Sequence, residues 1–395
     1  MVVVGAFACQ MGLGFTYMYG PLLPEITADL GWNRATFNSA TAPRLWVQAM
    51  ASPVLGLLVA RVGGRAVLVA SAALLACSAW GLSNIESAFD LLLWNLVLGL
   101  VFVGVGDVTV GHVVAQWVER SRALALGIVY VGSNIGGVVV LHLVTQISEE
   151  VHWREAFLWT GIAGALFLLP FAVFFIRSPR AGEGASDGGV EAIESGEAMS
   201  LRAAVRTRTF WILFYILVVY FFFATSVLDH LVSMLMDQGI ERTEAAGVLG
   251  GAVFLGVAGK LGLAAIAGRM SPRVALSVNM GMVALSSVLI FAIPWVGNPY
   301  PAAVLFGLSY AGRDVVYPLV VIHVFGVRSM APVYGTLMAT LALGGVAGPV
   351  FTGAVRDQTG SYTGAFAFEA LLMLVAVALI PLVRRELGRS APAAR

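Results

Sequence analysis

The chain has 395 residues, of which 59% are hydrophobic and only 11% are charged, and its mean hydropathy is +0.89. Soluble proteins are about half apolar and a quarter charged, so this composition excludes an ordinary soluble domain and indicates a polytopic membrane protein. The net charge of +1 predicts no nucleic-acid partner, and Cys9 and Cys77 lack the spacing of a metal site or a disulfide framework.

Apolar runs long enough to cross a bilayer core of about 30 Å recur along the whole sequence. We number the predicted helices in this order: 3–26, 36–60, 66–84, 89–117, 122–146, 155–176, 209–235, 245–268, 274–294, 299–325, 330–355 and 362–383. A polar stretch, 177–208, separates the first six runs from the last six. The sequence therefore predicts an all-α membrane protein with twelve transmembrane helices. It consists of an N-terminal six-helix bundle (1–176), a cytoplasmic linker (177–208) and a C-terminal six-helix bundle (209–395).

The arginines between the runs indicate an orientation. If the N-terminus is inside, sixteen arginines lie in cytoplasmic segments and only four lie in the opposite loops. Because basic residues near helix ends favour the cytoplasmic side, we expect a multi-pass protein of the cell membrane with both termini in the cytoplasm. The remaining basic residues, Arg44, Lys260 and Arg313, fall inside predicted helices.

The two halves repeat at an offset of 208 positions. Arg61 superimposes on Arg269, and Gly104 superimposes on Gly312. Glycines and loop arginines that recur at a constant distance are typical of duplicated transporter halves. Where the second half has Arg313 and Asp314, the first half has Val105 and Gly106, so only one copy carries these charges.

The loop "GLLVARVGGR" (56–65), twelve helices and a central linker together resemble the major facilitator superfamily. This resemblance implies a cytoplasmic gating loop that contains Arg61 and Arg65, with Arg269 and Arg273 in its second copy. Ala60 departs from the family pattern, which has an aspartate at this position. Four further segments resemble the monocarboxylate porters and oxalate/formate exchangers: 19–40, 117–137, 152–162 and 228–250. The resemblance implies that Lys260, in helix 8, binds a substrate carboxylate.

The chemistry of the buried charges leads to the same hypothesis independently. A charged side chain at the bilayer centre costs about 2.5 to 3.5 kcal/mol on insertion scales, so it indicates a function. Lys260 and Arg313 each lie near the middle of a predicted helix, at the depth where substrates bind in such transporters. Two cations at one depth form a receptor for an anion, provided that they face the same cavity.

A structural role remains the alternative for these charges. Asp314 can neutralise Lys260 across helices, whereas its neighbour Arg313 points about 100° away on the same helix and is not expected to face it. Tyr310 and Tyr317 share the face of Asp314 in helix 10. They are candidates to donate hydrogen bonds to a carboxylate, and a packing role stays open.

Helices 4 and 7 contain further titratable residues. Asp107 is a candidate for proton coupling or for a switching ion pair with Arg313, and a static salt bridge is the alternative. His112 either titrates near neutral pH or is a hydrogen-bonded interior residue. Asp229 and His230 either gate and accept protons or are solvated near the helix end.

Neutral polar side chains in helices 1 and 5 complete the candidate substrate-binding residues. Gln10 and Tyr17 are seven residues apart, and Tyr130 and Asn134 are four apart, so each pair shares a helix face. The adjacent Gly136 and Gly137 are more typical of close helix packing than of substrate contact.

These observations together predict a secondary transporter that works by alternating access. Its substrate would be a small organic anion, such as lactate or pyruvate or an oxalate- or formate-like anion, moved by proton symport or by anion exchange. The alternative is an exporter of drugs or neutral metabolites driven by proton antiport. No nucleophile, metal or phosphate motif is present, so we expect no enzyme activity, no cofactor and no metal. We also expect a monomer in the bilayer.

Overall fold

The computed structural model describes residues 1–179 and 199–386. In this part of the chain the regular elements are all helices. Eleven helices are long and apolar enough to cross a membrane, and a bent pair provides a twelfth span. In chain order they are α1 (Val2–Asp29), α2 (Ser39–Val62), α3 (Gly64–Ser83), α4 (Ala88–Trp117), α5 (Arg122–Glu150), α6 (Trp153–Phe175), α7 (Arg208–Asp237), α8 (Arg242–Ala267), α9 (Pro272–Val296), α10 (Tyr300–Tyr310 with Arg313–Phe325), α11 (Met330–Thr359) and α12 (Thr363–Leu382). The predicted all-α, twelve-helix membrane fold is confirmed.

The chain divides into two compact units. Among the described residues, the first unit contains 1–120, 128–179 and 334–336, and the second contains 121–127, 199–333 and 337–386. Most of the polar stretch 177–208 lies outside the described residues, because the structure describes nothing between 179 and 199. The division into 1–176, linker 177–208 and 209–395 therefore stays a prediction.

Local sequence signals explain several helix starts. Ser87 and Asp90 form a reciprocal capping box at the start of α4. The hydroxyls of Thr207 and Ser271 accept backbone N–H groups in the first turns of α7 and α9. These side chains satisfy donors that the first turn of a helix leaves without a partner.

Glycines bring helix backbones into contact in the first unit. A Cβ atom on Gly14 of α1 would lie 2.1 Å from the carbonyl carbon of Gly136 in α5, and one on Gly136 would lie 2.1 Å from the carbonyl oxygen of Met11. Small residues allow such close approach in membrane helices. The packing role predicted for Gly136 agrees with this geometry.

The same device joins α8 to α10 in the second unit. A Cβ atom on Gly259 would lie 2.1 Å from the carbonyl oxygen of Leu308, and one on Gly307 would lie 2.1 Å from that of Ala252. Because the two backbones touch here, Lys260, which follows Gly259, is held beside α10. The glycines thus determine where the buried ammonium lies.

The helix α10 is broken in its middle. Its two segments, Tyr300–Tyr310 and Arg313–Phe325, are bent by 40°. The Tyr220 hydroxyl donates to the Tyr310 carbonyl oxygen (2.6 Å), and the Asn279 amide donates to that of Ser309 (2.8 Å). Side chains therefore satisfy carbonyl groups at the break, as the absence of water in a bilayer requires.

We expect Gly259→Ala to destabilise the second unit by about 1–3 kcal/mol, because the added methyl group would overlap the Leu308 carbonyl. Gly262→Ala, on the same helix, is the matched control, since a Cβ atom there meets nothing within 4 Å. The melting temperatures of both variants can be measured in detergent by heating the protein and monitoring the loss of the folded peak by size-exclusion chromatography. Equal melting temperatures for the two variants would show that the α8–α10 contact is not tight.

Candidate functional site

The second unit places three charged side chains together between α8 and α10. The Lys260 ammonium lies 3.1 Å from one carboxylate oxygen of Asp314. The Arg313 guanidinium donates a hydrogen bond to the other oxygen of the same carboxylate. The structure thus contains the interhelical Lys260–Asp314 pair that the sequence left open.

The contact between Arg313 and Asp314 differs from the sequence-based expectation. Neighbouring residues in a continuous helix point about 100° apart, and we expected these two not to face each other. Both residues instead lie in the first turn of Arg313–Phe325, directly after the break in α10. Because the arginine side chain is long and begins at this break, its guanidinium reaches back to the neighbouring carboxylate.

Aromatic and sulfur groups surround the guanidinium. Its central carbon lies 5.0 Å from the ring centre of Phe221 and 5.5 Å from that of Tyr220, both on α7. One of its nitrogens lies 3.7 Å from the Met338 sulfur. Cation–π contacts of this kind stabilise a desolvated guanidinium and hold it in place.

All three charged side chains of the cluster are largely buried. The side chains of Lys260, Arg313 and Asp314 are 6%, 9% and 16% exposed, respectively. The three groups together carry one net positive charge. Charge interactions are much stronger in such surroundings than in water, so the net positive charge of this cluster attracts anions.

The two predicted tyrosines of α10 have different surroundings. Tyr310 is half-buried and stacks on Phe306 with ring centres 5.3 Å apart. Tyr317 is fully buried, and its hydroxyl donates to the Leu213 carbonyl oxygen at 2.8 Å. The Tyr317 hydrogen is thus used in fixing α10 to α7, whereas Tyr310 borders the charged cluster through its position next to the break.

The first unit has its own polar cluster around Asp107. The fully buried Gln10 donates to the Asp107 carboxylate at 2.8 Å, and the Tyr130 hydroxyl donates to the Asp107 carbonyl oxygen at 3.0 Å. Gly106 breaks α4 immediately before this residue, with φ −78° and ψ −175°. The structure therefore brings together three predicted residues from α1, α4 and α5.

The other predicted residues of this unit differ in burial and in their contacts. His112 is buried, and its ring contacts the Gln116 amide at 3.0 Å. Asn134 is half-buried. Tyr17 is 51% exposed, and a Cβ atom on Gly137 would lie 2.8 Å from its ring. Gln10 and Tyr17 consequently differ in exposure, although we expected them to line one cavity together.

On α7, Asp229 is exposed, whereas His230 is half-buried, and its ring nitrogen lies 2.9 Å from the Pro349 carbonyl oxygen. The loop arginines lie at helix ends, where the structure leaves all four exposed: Arg61, Arg65, Arg269 and Arg273. Their gating role stays a prediction.

The sequence reasoning missed one buried acid, Glu369 in α12. It is 0% exposed, and one of its carboxyl oxygens lies 2.7 Å from the Thr352 hydroxyl oxygen. The signal was available, because Glu369 is the sole charged residue in the predicted run 362–383. The criterion that singled out Lys260 applies to it equally.

Comparisons with known proteins agree with this architecture. Residues 3–312 match the model of the Major Facilitator Superfamily. The chain is 26% identical to human monocarboxylate transporter 11, over 95% of this chain and 80% of that protein. It is 25% identical to the 3-(3-hydroxy-phenyl)propionate transporter of Escherichia coli K12, over 86% and 82%. The crystal structure of the transporter FucP superimposes with a TM-score of 0.72 at 14% identity, over 97% of this chain and all of FucP.

We expect Asp314→Asn to destabilise the protein by about 3–5 kcal/mol, because it removes the carboxylate that two buried cations share. Lys260→Gln should cost less, since Asp314 then still binds Arg313. Asp237→Asn is the control, because it removes an acid from the exposed Arg356–Asp237 pair, and such pairs contribute about 0–1 kcal/mol. Thermal unfolding of the three variants tests this order, and a larger loss for Asp237→Asn than for Asp314→Asn would contradict it.

Proposed function

The chain belongs to the Major Facilitator Superfamily, and we propose that it carries small organic carboxylate anions across the membrane. It is a multi-pass membrane transporter and not an enzyme. The proposed substrates have the size of lactate and pyruvate, or of oxalate and formate. The observation that carries this proposal is the cluster in which Lys260 and Arg313 both bind the carboxylate of Asp314.

The cluster supports carboxylate binding because it already binds one. Both cations are oriented toward carboxylate oxygens, and Arg313 is fixed by the rings of Tyr220 and Phe221. A substrate carboxylate would meet the same donors with little rearrangement. Preorganised donors bind more tightly than donors that must be ordered on binding. Asp314 is the most exposed of the three charged side chains. A substrate carboxylate would therefore approach from the side of Asp314 and displace it from the two cations.

The relatives support the same chemical class. The two curated relatives are named for monocarboxylates and for a phenylpropionate, which is also a carboxylate. An aromatic carboxylate would find partners in the rings beside Arg313, whereas a three-carbon acid would contact mainly the charged groups. A transport assay should therefore include both aromatic carboxylates and short aliphatic carboxylates.

The transport cycle we propose is alternating access of one site to the two sides of the cell membrane, with both termini cytoplasmic and with the monomer as the functional unit. A site without substrate resists occlusion, because the one net positive charge of Lys260, Arg313 and Asp314 is then buried with no substrate anion to neutralise it. The loaded carrier therefore occludes more readily than the empty one, which favours anion exchange or proton symport. Asp107, Asp314, Asp229, His112 and His230 are the candidate proton carriers.

Purified protein in liposomes should take up labelled carboxylates of one to four carbons, or 3-phenylpropionate. We expect Lys260→Gln and Arg313→Gln each to lower uptake at least tenfold, because each removes a charged donor to the substrate, and such donors contribute about 1.5–3 kcal/mol. Arg242→Gln, at the exposed start of α8, should leave uptake unchanged. If none of these acids is transported, the proposal is wrong. Transport of a cationic or neutral compound that survives Lys260→Gln would favour the exporter alternative.

A second measurement addresses the empty carrier. We expect uptake to be faster into liposomes that contain unlabelled carboxylate, or when the outside is more acidic, than into empty liposomes without a pH gradient. The reason is that a bound anion or a proton assists the return step. Equal initial rates under the three conditions would contradict the proposed resistance of the empty cationic site to occlusion.

A further inference from the structure

A second charged site of the second unit lies where α7, α11 and α12 meet. Glu369 is six residues into α12, about 9 Å from its start along the helix axis. Its side chain is completely buried. It contacts the Thr352 hydroxyl of α11 at 2.7 Å, and that hydroxyl lies 3.1 Å from the Ser226 hydroxyl of α7. The Ser226 hydroxyl in turn lies 2.7 Å from the Phe222 carbonyl oxygen.

The number of hydrogens in this chain of contacts favours a protonated acid. Three contacts connect Glu369, Thr352, Ser226 and the Phe222 carbonyl oxygen, and each needs one hydrogen. The two hydroxyls supply one hydrogen each, and the carbonyl supplies none. If Ser226 donates to Phe222, and Thr352 donates to Ser226, the third hydrogen must come from a protonated Glu369 that donates to Thr352. With an ionised Glu369, one of the three contacts loses its hydrogen bond.

The charges around Glu369 favour the same state. Within the described part of the chain, Glu369 forms no ion pair, and its second carboxyl oxygen has no hydrogen-bond donor. An ionised carboxylate in such surroundings carries a large desolvation cost, whereas a neutral acid does not. Arg356 lies on α11 one turn after Thr352, the residue that contacts Glu369. Its guanidinium donates to Asp237 at 2.6 Å and not to Glu369.

The other titratable groups on the packed helices are few. Helix α12 packs against α7, α9 and α11. On α7, Asp229 and His230 lie one turn from Ser226, and Asp237 lies at the helix end. The other titratable residues of α7, which precede Ser226, are Arg208, Tyr215 and Tyr220. On α11, Arg356 and Asp357 lie beyond Thr352, and Tyr334 lies near the other end. Helix α9 has no titratable side chain after Arg273.

We propose that Glu369 is a buried proton-binding site, occupied as a neutral carboxylic acid that donates its proton to the Thr352 hydroxyl. The site is separate from the Lys260–Asp314–Arg313 cluster and does not depend on the substrate. Loss of the proton leaves a carboxylate in the α7–α11–α12 contact, which can no longer keep its present hydrogen bonds. Proton release is therefore linked to a rearrangement of these three helices.

A route for the proton leads toward the end of the unit where α12 begins. Tyr362 lies seven residues before Glu369, on the same side of the helix, and its ring centre lies 5.5 Å from that of His230. Tyr362 also lines a cavity of about 160 Å³, together with Asp237, Gln238 and Ser361. His230 thus contacts a residue that lines this cavity, and it lies one helical turn from Ser226.

Infrared spectroscopy of the purified full-length protein tests this assignment without any substrate. At neutral pH we expect a C=O stretching band of a protonated carboxylic acid, above the amide region, that moves to lower frequency in D₂O. Glu369→Gln should remove this band, while the amide keeps the side-chain volume and still donates to Thr352. Asp229→Asn is the control and should retain the band. The proposal is wrong if the band is absent from the wild type, if it persists in Glu369→Gln, or if it is lost in Asp229→Asn.

A second variant keeps the test decisive if Glu369→Gln does not fold. Thr352→Val preserves the shape of the residue but removes the acceptor of the proton. The acid band should then move to higher frequency, because the carboxylic acid loses its hydrogen bond. An unshifted band in Thr352→Val would contradict the proposed contact. Failure of carboxylate transport would leave all of these spectra unchanged, so the two proposals can fail separately.

Discussion

The interaction on which the second unit depends is the sharing of one carboxylate, that of Asp314, between the ammonium of Lys260 and the guanidinium of Arg313. Two cations without this acid would repel each other in a medium that screens charge poorly. One acid for two cations keeps both charged and close together, and leaves the three groups with one net positive charge. In the proposed function, such a site would exchange its internal carboxylate for an external one, whereas a fully neutral pair would give a substrate anion little electrostatic advantage.

Two backbone features create this arrangement. The contact of Gly259 with the Leu308 carbonyl brings α8 against α10, and the 40° bend places Arg313 and Asp314 in the first turn of a new helical segment. The positive end of the helix dipole lies at that turn and stabilises the acid. The equivalent helix of the first unit, α4, is also interrupted, at Gly106 before Asp107. In both halves of the repeat an aspartate, Asp107 or Asp314, therefore lies in the first turn of a helical segment. In the second half two basic residues, Lys260 and Arg313, contact this aspartate.

The sequence predicted the fold well because burial in lipid imposes one simple requirement, a long apolar run for each span. It also predicted Lys260 and Arg313 as functional charges and left the Lys260–Asp314 pair open. The Arg313–Asp314 contact could not be predicted, because it depends on a helix break for which "SYAGRD" (309–314) contains only one glycine as a signal. The differing exposure of Gln10 and Tyr17 has a similar cause, since part of α1 is wound more tightly between Met11 and Met18 and the seven-residue spacing no longer places both on one face. Glu369 could have been found as the sole charge in its apolar run, but its partners Thr352 and Ser226 could not, because they lie on other helices that are distant in sequence.

The second unit contains two buried acids, Asp314 and Glu369, whose surroundings favour different charge states. Asp314 has two cationic partners and is ionised, whereas Glu369 has hydroxyl partners and no ion pair with any described residue, and it is neutral in the proposed state. Environments that separate the charge states of two acids in this way also separate their roles. In the proposed function, the ionised acid would compete with a substrate anion for the same donors, so its position would respond to the substrate. The neutral acid responds to protons alone. Because α7 contacts Arg313 through Phe221 and contacts Thr352 through Ser226, one helix adjoins both sites, and a rearrangement of α7 would affect anion binding and proton binding together.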